Sequence, residues 1–306
     1  MTVYDCTLFW NENDLYELRL NQHWPFVDKF IVVEAGETHT GNKKSFNFDH
    51  KRFEKYKSKI IYAKFDSFQE EILKHSDPPL LDKHSICDRS SIGQHTDDWI
   101  RDHFQGNYPV KVLKDVDAQD DDIVYISALD EILNDQAFTR GIDFLLNNKE
   151  LHPLKVGDEN VLLDDKIVLT PPTFGFILDM YVFKFNLFCQ RLPVAEMTQF
   201  SLLKHFLPSS IRSIGLHTHA NIENAGWHFS FLDKTDGETV FQKYKSWAHS
   251  RDILEGQEIK FEHSSKEESL QRLFMDYNTR QVPITAESHP AFLMNNLDMY
   301  KDYIYE

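Results

Sequence analysis

The residues best placed to do chemistry are the adjacent carboxylates Asp130 and Glu131. They follow Ile123-Val124-Tyr125-Ile126-Ser127, a β-branched run that reads as a short strand. Carboxylates at a strand end stand on the edge of a sheet, where hard oxygen ligands can hold Mg²⁺ or Mn²⁺ against a diphosphate. The same pair could cap the helix that follows, and the pattern alone leaves both readings open. Asp115, Asp117 and Asp120 to Asp122 are rival acids, but their polar turn reads as solvated loop. His217 and His219 share one strand face without an acid at a diagnostic spacing. Gly226-Trp227-His228 combines close backbone approach, an indole face for stacking a sugar and an imidazole able to ligate metal. Lys43, Lys44, Arg89 and Arg101 offer charge to a diphosphate. No GxGxxG follows the first strand and no GxxxxGK appears, so the usual glycine-rich phosphate cradles have no support. Nothing resembles a nucleophilic Ser/His/Asp or Cys/His set.

These residues need a scaffold, and the apolar runs outline one. Val3 to Phe9, Asp28 to Ala35 and Ile60 to Ala63 read as buried strands. Asp14 with Glu17 three residues on reads as a capping box that opens a helix to about Trp24. Helices are expected over Thr96 to Phe104, Asp135 to Asn148, Gly237 to His249 and Ser265 to Asn278. Further strands are expected in the aromatic run Phe174 to Phe188 and over Gly226 to Asp233. Buried strands that end in polar residues predict an α/β fold: a Rossmann-like, mostly parallel central sheet flanked by helices, with its site at the carboxyl ends. One domain over 1–255 with a helical extension over 256–306 is the expected organisation.

Composition narrows the partners. Hydrophobic residues make up 41% of the 306, enough for a packed core. A net charge of −16 argues against nucleic acid as the main partner, although a divalent cation can still neutralise a nucleotide locally. Cys6, Cys87 and Cys189, an odd and widely spaced set, read as reduced thiols. No run approaches a membrane span and the first residues lack signal-peptide character, so a cytoplasmic protein is expected.

Several segments, taken in order, resemble glycosyltransferase family 17, the β-1,4-N-acetylglucosaminyltransferases that add the bisecting GlcNAc to N-glycans. The matching residues are Tyr4-Asp5-Cys6, Asn11-Glu12, Asp14-Leu15, Glu17-Leu18-Arg19, Val33-Glu34-Ala35 and Thr38-His39-Thr40-Gly41. Beyond them come Arg101, Asp121 to Val124 with Asp130-Glu131-Ile132, Ala225 to Ser230, Lys245-Ser246 and Ala248-His249. The resemblance implies a GT-A-like fold, a UDP-sugar donor (UDP-GlcNAc), Mn²⁺ or Mg²⁺, a glycan or glycoconjugate acceptor and inverting transfer. A bacterial or viral glycan is the expected acceptor. Carried over by position, Glu12, Arg19 and Glu34 would lie near the nucleotide. Arg101 would face the diphosphate or sugar, Trp227 would line the sugar pocket, and Asp130, Glu131 and His228 would hold the metal. Glu223, just before Gly226, is the expected base that takes the acceptor proton. The family pattern Asp-x-Asp-Glu-Ile-Pro reads here Ala128-Leu129-Asp130-Glu131-Ile132-Leu133, lacking its first Asp and its Pro. That departure keeps in view a degenerate domain that binds nucleotide sugar or glycan without efficient transfer; a metal-dependent nucleotide-sugar hydrolase is a further alternative.

Overall fold

The computed structural model describes residues 1–75, 80, 97–153, 166–167, 169–214, 220–234, 237–248 and 277–306, with short pairs of residues within 155–163 and 253–258. The first half alternates strands and helices. Strand β1 (Val3–Phe9) leads to helix α1 (Asn13–His23), then β2 (Lys29–Ala35), β3 (Ile60–Phe65), α2 (Phe68–Lys74) and α3 (Asp97–Asp115). Next come β4 (Ile123–Ile126), the short β5 (Glu131–Leu133) and α4 (Asp135–Asn147). The second half contributes β6 (Phe174–Val182), the long β7 (Leu187–Gln199), α5 (Pro208–Ile214), β8 (Ala220–Ile222), β9 (Gly226–Ser230), α6 (Glu238–Ser246) and β10 (Arg280–Gln281).

Ten strands form one sheet, ordered β3-β2-β1-β4-β7-β6-β9-β5, with β8 also on β6 and β10 on β7. The mostly parallel sheet expected from sequence is corrected to a mixed one. Strands β3, β2, β1 and β4 run parallel, but β7 joins β4 antiparallel and β6 joins β7 antiparallel. Strand β9 then lies parallel to β6, and β5 antiparallel to β9. The physical reason is local. Strands β6 and β7 are joined by a tight turn through Phe183 at φ 69°, which can return the chain only as a hairpin. Parallel neighbours need the longer crossovers seen in the first half.

The period-2 alternation of the strands sorts the core into two layers. Val3, Phe9, Phe30, Val32, Ile123 and Tyr125 face one side of the sheet, where α1 and α4 pack. Tyr4, Cys6, Ile31, Val33, Val124 and Ile126 face the other, under α3. Leu293 and Tyr300, from the short helices Ala291–Asn295 and Leu297–Tyr300, are buried in the first layer. The chain's last segment therefore completes the main core.

Two further expectations change. Helix α1 is not opened by a capping box: Glu12 is its N-cap and makes no side-chain cap bond. Asp14 and Glu17 instead take Arg52 in ion pairs at 2.6 and 2.8 Å, because an arginine fork offers two donors where a backbone amide offers one. Helix α3 runs on to Asp115 through Pro109. Arg89, Cys87 and His217 to His219 lie outside the described residues, as does all but the end of the helix expected over Ser265 to Asn278; Tyr277 and Asn278 are not helical. No helix among the described residues is long and apolar enough to cross a membrane.

Candidate active site

The segment Ser127 to Glu131 lies between two strands of the sheet, and a buried arginine fixes its course. Helix α1 presents Arg19 and His23, one turn apart, toward β1. Arg19 is fully buried and pairs with Asp5 at 2.5 Å, while its other amino group serves the carbonyls of Ala128, Leu129 and Glu131 at 2.7, 3.2 and 2.8 Å. It also donates to Ser127 Oγ at 2.6 Å. His23 Nε2 accepts the amide of Leu133, so its Nδ1–H donates to Asp5 at 2.7 Å and the neutral tautomer is set. Burial drives the His23 pKa below its ordinary value against the pull of Asp5. Burial opposes the Asp5 charge too, but Arg19 and His23 outweigh it and lower its pKa.

Arg19, expected at the nucleotide, is thus corrected to a residue beneath the site, with its donors spent on protein oxygens. Glu34 is likewise internal. Its carboxylate accepts from Lys44, from the amides of Asn47 and Phe48 and from the Tyr62 hydroxyl, so it fastens the 44–48 loop. Arg101 braces another loop, donating to the His39 carbonyl and Asp98 and packing its guanidinium against Gly41, whose φ is +86°. None of these three lines the central cleft.

That cleft, about 490 Å³, is lined by Glu12, Asp130, Glu131, Arg212, His228 and Lys243 together with an apolar wall. Its volume is in the range of small-molecule sites. His228 reaches it because β9 alternates. Trp227 and Phe229 point into the first core layer, where the Trp227 Nε1–H donates to the Ser288 carbonyl at 2.7 Å. His228 and Ser230 face the cleft. The expectation that Trp227 lines a sugar pocket is therefore corrected, since the pleat sends neighbouring side chains to opposite faces. Glu223 is exposed in the step between β8 and β9 and does not line the cleft.

Asp130, Glu131 and His228 do meet. Their ligand atoms lie within 4.8 Å of one another, and His228 faces Glu131 across the β9–β5 pair. His228 Nε2 is 3.6 Å from Asp130 Oδ1. Two cations that sequence reasoning did not single out are already there. Arg212, from α5, takes both oxygens of Glu131 at 2.8 Å, and the Ala128 amide adds a third bond to that carboxylate. Lys243, from α6, places its ammonium 3.2 Å from Asp130 Oδ2 and 3.1 Å from Glu12 Oε1. Glu12 Oε2 accepts the amides of Trp10 and Asn11. Burial disfavours the charge on Lys243, yet Asp130 and Glu12 outweigh it and hold the ammonium pKa above its ordinary value. Burial would raise Asp130, but Lys243 and then His228 bring it below the usual carboxylate range.

Two carboxylates and an imidazole suit a divalent ion in kind. As folded, they do not fit one. Glu131 is spent on Arg212, and one oxygen of Asp130 is spent on Lys243. The first carboxylate of the expected motif is Ala128.

Other chemistry lines the same cleft. His39 bridges Asp102 at 3.3 Å and Gln105 at 2.9 Å. A second, polar cavity of about 460 Å³ adjoins it and is bordered by Lys43, Lys44, Asn47 and Lys245. Trp10, Thr38, Lys44 and Ser246 border both cavities. Glu196 on β7 is buried beside this region with Oε2 unmatched among the described residues, and burial pushes its pKa up to about 8.

Residues 1–145, just under half of the chain, match the model of glycosyltransferase family 17, which supports placing the chain in that family. The matched part holds Glu12, Asp130 and Glu131 but ends before Arg212, His228 and Lys243. No curated protein gives a significant match to the chain.

Proposed function

With the chain placed in glycosyltransferase family 17 by its first 145 residues, we propose that it transfers a sugar from a nucleoside-diphosphate donor to a glycan hydroxyl in the Asp130 cleft. The donor is UDP-GlcNAc, the transfer inverts the anomeric centre, and the fold is a GT-A variant with a mixed sheet. The observation that carries this reading is the charge pattern at the carboxyl end of β4. Acidic residues on a clamped loop hold Lys243 and Arg212 at the wall of a cleft large enough for a nucleotide sugar.

The chemistry follows from that pattern. The acceptor hydroxyl attacks the anomeric carbon, the bond from that carbon to the diphosphate oxygen breaks, and the electron pair leaves with the diphosphate. Developing negative charge there needs fixed positive charge close by, a preorganised arrangement worth several kcal/mol in known sites, roughly 3–4 for a single donor. The acceptor proton needs a base inside the cleft. Glu223 is exposed outside it, so we assign that task to Asp102, which lines the cleft and is oriented by His39. The polar cavity beside Lys43, Lys44 and Lys245 would receive the polar end of donor or acceptor.

The test is UDP release from UDP-GlcNAc with and without a panel of oligosaccharide acceptors, using wild type, Asp130→Asn and Asp102→Asn. The expected result is acceptor-dependent release that falls about 100-fold or more in each variant. Release at one rate regardless of acceptor would show a hydrolase. Donor binding without release, across donors and acceptors, would show a binding module.

A further inference from the structure

We propose that the Lys243 ammonium is the resident cation of this site, standing where a divalent ion would sit and neutralising the donor diphosphate without metal. The claim rests on the reading above for its ligand, but its evidence is separate: the disagreement between the expected metal set and the contacts that set makes.

A divalent ion here would need Asp130 first, because it is the carboxylate that closes the motif. Oδ2 of Asp130 already lies 3.2 Å from Lys243 Nζ. Oxygen ligands hold Mg²⁺ at about 2.0–2.1 Å, so an ion on that oxygen would be pressed against a like charge. Oδ1 lies 3.6 Å from His228 Nε2. Glu131 has little left to give the shell: Oε2 accepts from Arg212 and the Ala128 amide, and Oε1 from Arg212. Position 128, where a further carboxylate would stand, is alanine. One or two carboxylates can serve a divalent ion when phosphate oxygens and water complete its shell, so what opposes an ion here is the Lys243 charge already held at Asp130.

Lys243 has the features the ion would have supplied. Glu12 and Asp130 grip the ammonium from two sides at 3.1 and 3.2 Å, which fixes a flexible side chain in one place. Phe231 lies under it, with the ring centroid 5.7 Å from Nζ. An ammonium carries three donors, and these two carboxylates take two of them, leaving one for a phosphoryl oxygen. Glu12, Asp130 and Glu131 oppose Lys243 and Arg212, so the cluster keeps one negative charge in excess. A diphosphate would be held by the two cationic heads directly while their carboxylates keep them aligned, with Lys43, Lys44 and Lys245 of the adjoining cavity offsetting that excess. During transfer, the electron pair of the broken bond from the anomeric carbon to oxygen stays on the diphosphate beside Lys243, and the acceptor proton passes to Asp102.

Two measurements on the full chain test this. The first is Mn²⁺ binding without nucleotide, read from the electron paramagnetic resonance of free Mn²⁺. Wild type should bind weakly, whereas Lys243→Met, which frees Asp130 and Glu12, should bind at least about tenfold more tightly. The second is titration of UDP in EDTA and in Mn²⁺. Wild-type affinity should agree within about twofold between the two, and Lys243→Met should lose about tenfold in EDTA. Lys243→Arg, which keeps the charge, should retain UDP affinity, so a loss confined to Lys243→Met is not a folding defect. Equal and tight Mn²⁺ binding by wild type and Lys243→Met would overturn the proposal, as would collapse of wild-type UDP affinity in EDTA. If wild type binds no UDP under either condition, the nucleotide reading fails, while the Mn²⁺ comparison still decides whether Lys243 holds the ion's place.

Discussion

Replacing Arg19 by Met tests whether the site loop is held from below. Met nearly matches the length of the arginine stem but carries no donors. The change strands Asp5, which is fully buried, with His23 as its one remaining side-chain partner among the described residues. It also removes the donors to the carbonyls of Ala128, Leu129 and Glu131 and to Ser127 Oγ. Breaking a buried ion pair from one side costs about 3–5 kcal/mol, a large share of the roughly 5–15 kcal/mol typical of a folded domain. Most of that penalty is the orphaned charge, so Asp5→Asn in the same chain should recover part of it, with a coupling energy of about 2 kcal/mol. Urea denaturation of wild type, both single variants and the double variant measures the cycle. A loss below about 1 kcal/mol for Arg19→Met would refute the reasoning. So would intact stability combined with weakened UDP binding, because that outcome would make Arg19 a donor contact after all.

Two further outcomes follow from particular contacts. Gly226 has φ +148°, and a Cβ there would stand 2.1 Å from the Ile132 carbonyl and 2.8 Å from Leu133 Cα. Gly226→Ala should therefore cost about 2 kcal/mol or more by pushing β9 off β5; a melting temperature within about 2 °C of wild type would contradict that. Glu196 is held neutral by burial, with its pKa pushed up to about 8, whereas an unfolded glutamate ionises near about 4.3. A raised carboxyl pKa gives stability that is complete below the unfolded value and lost as pH rises through the folded one. Glu196→Gln should match wild type near pH 4 and become the more stable protein by pH 8 to 9, as read from thermal melts across that range; a constant difference would rule out the titration.

Much of the scaffold is visible in the sequence because largely apolar runs of four to seven residues leave few alternatives. Val3–Phe9, Lys29–Ala35 and Ile123–Ile126 are strands for that reason, and the Asp130-Glu131 pair falls at the edge where such strands end. The alternation in Gly226 to Ser230 was legible too. A strict period of two would have turned Trp227 inward once His228 faced the cleft. Strand β7 was harder to see: Cys189 to Pro193 mixes polar and apolar residues, since its neighbours there leave much of it exposed. The cations were not legible at all. Lys243 and Arg212 are two of 33 basic side chains, and only the packing of α5 and α6 brings them to the acidic loop. Nor does any local pattern mark Arg19 as buried, because its partners come from β1 and from a loop more than a hundred residues away.

A structure with UDP-GlcNAc or a non-hydrolysable analogue bound, grown without divalent metal, bears most directly on the central claim. The account predicts diphosphate oxygens within about 3 Å of Lys243 Nζ, with Asp130 and Glu12 still gripping the ammonium and the anomeric carbon facing the Asp102 side of the cleft. A nucleotide bound elsewhere would contradict it, as would a diphosphate that appears beside Asp130 only when Mn²⁺ is supplied and Lys243 has swung away.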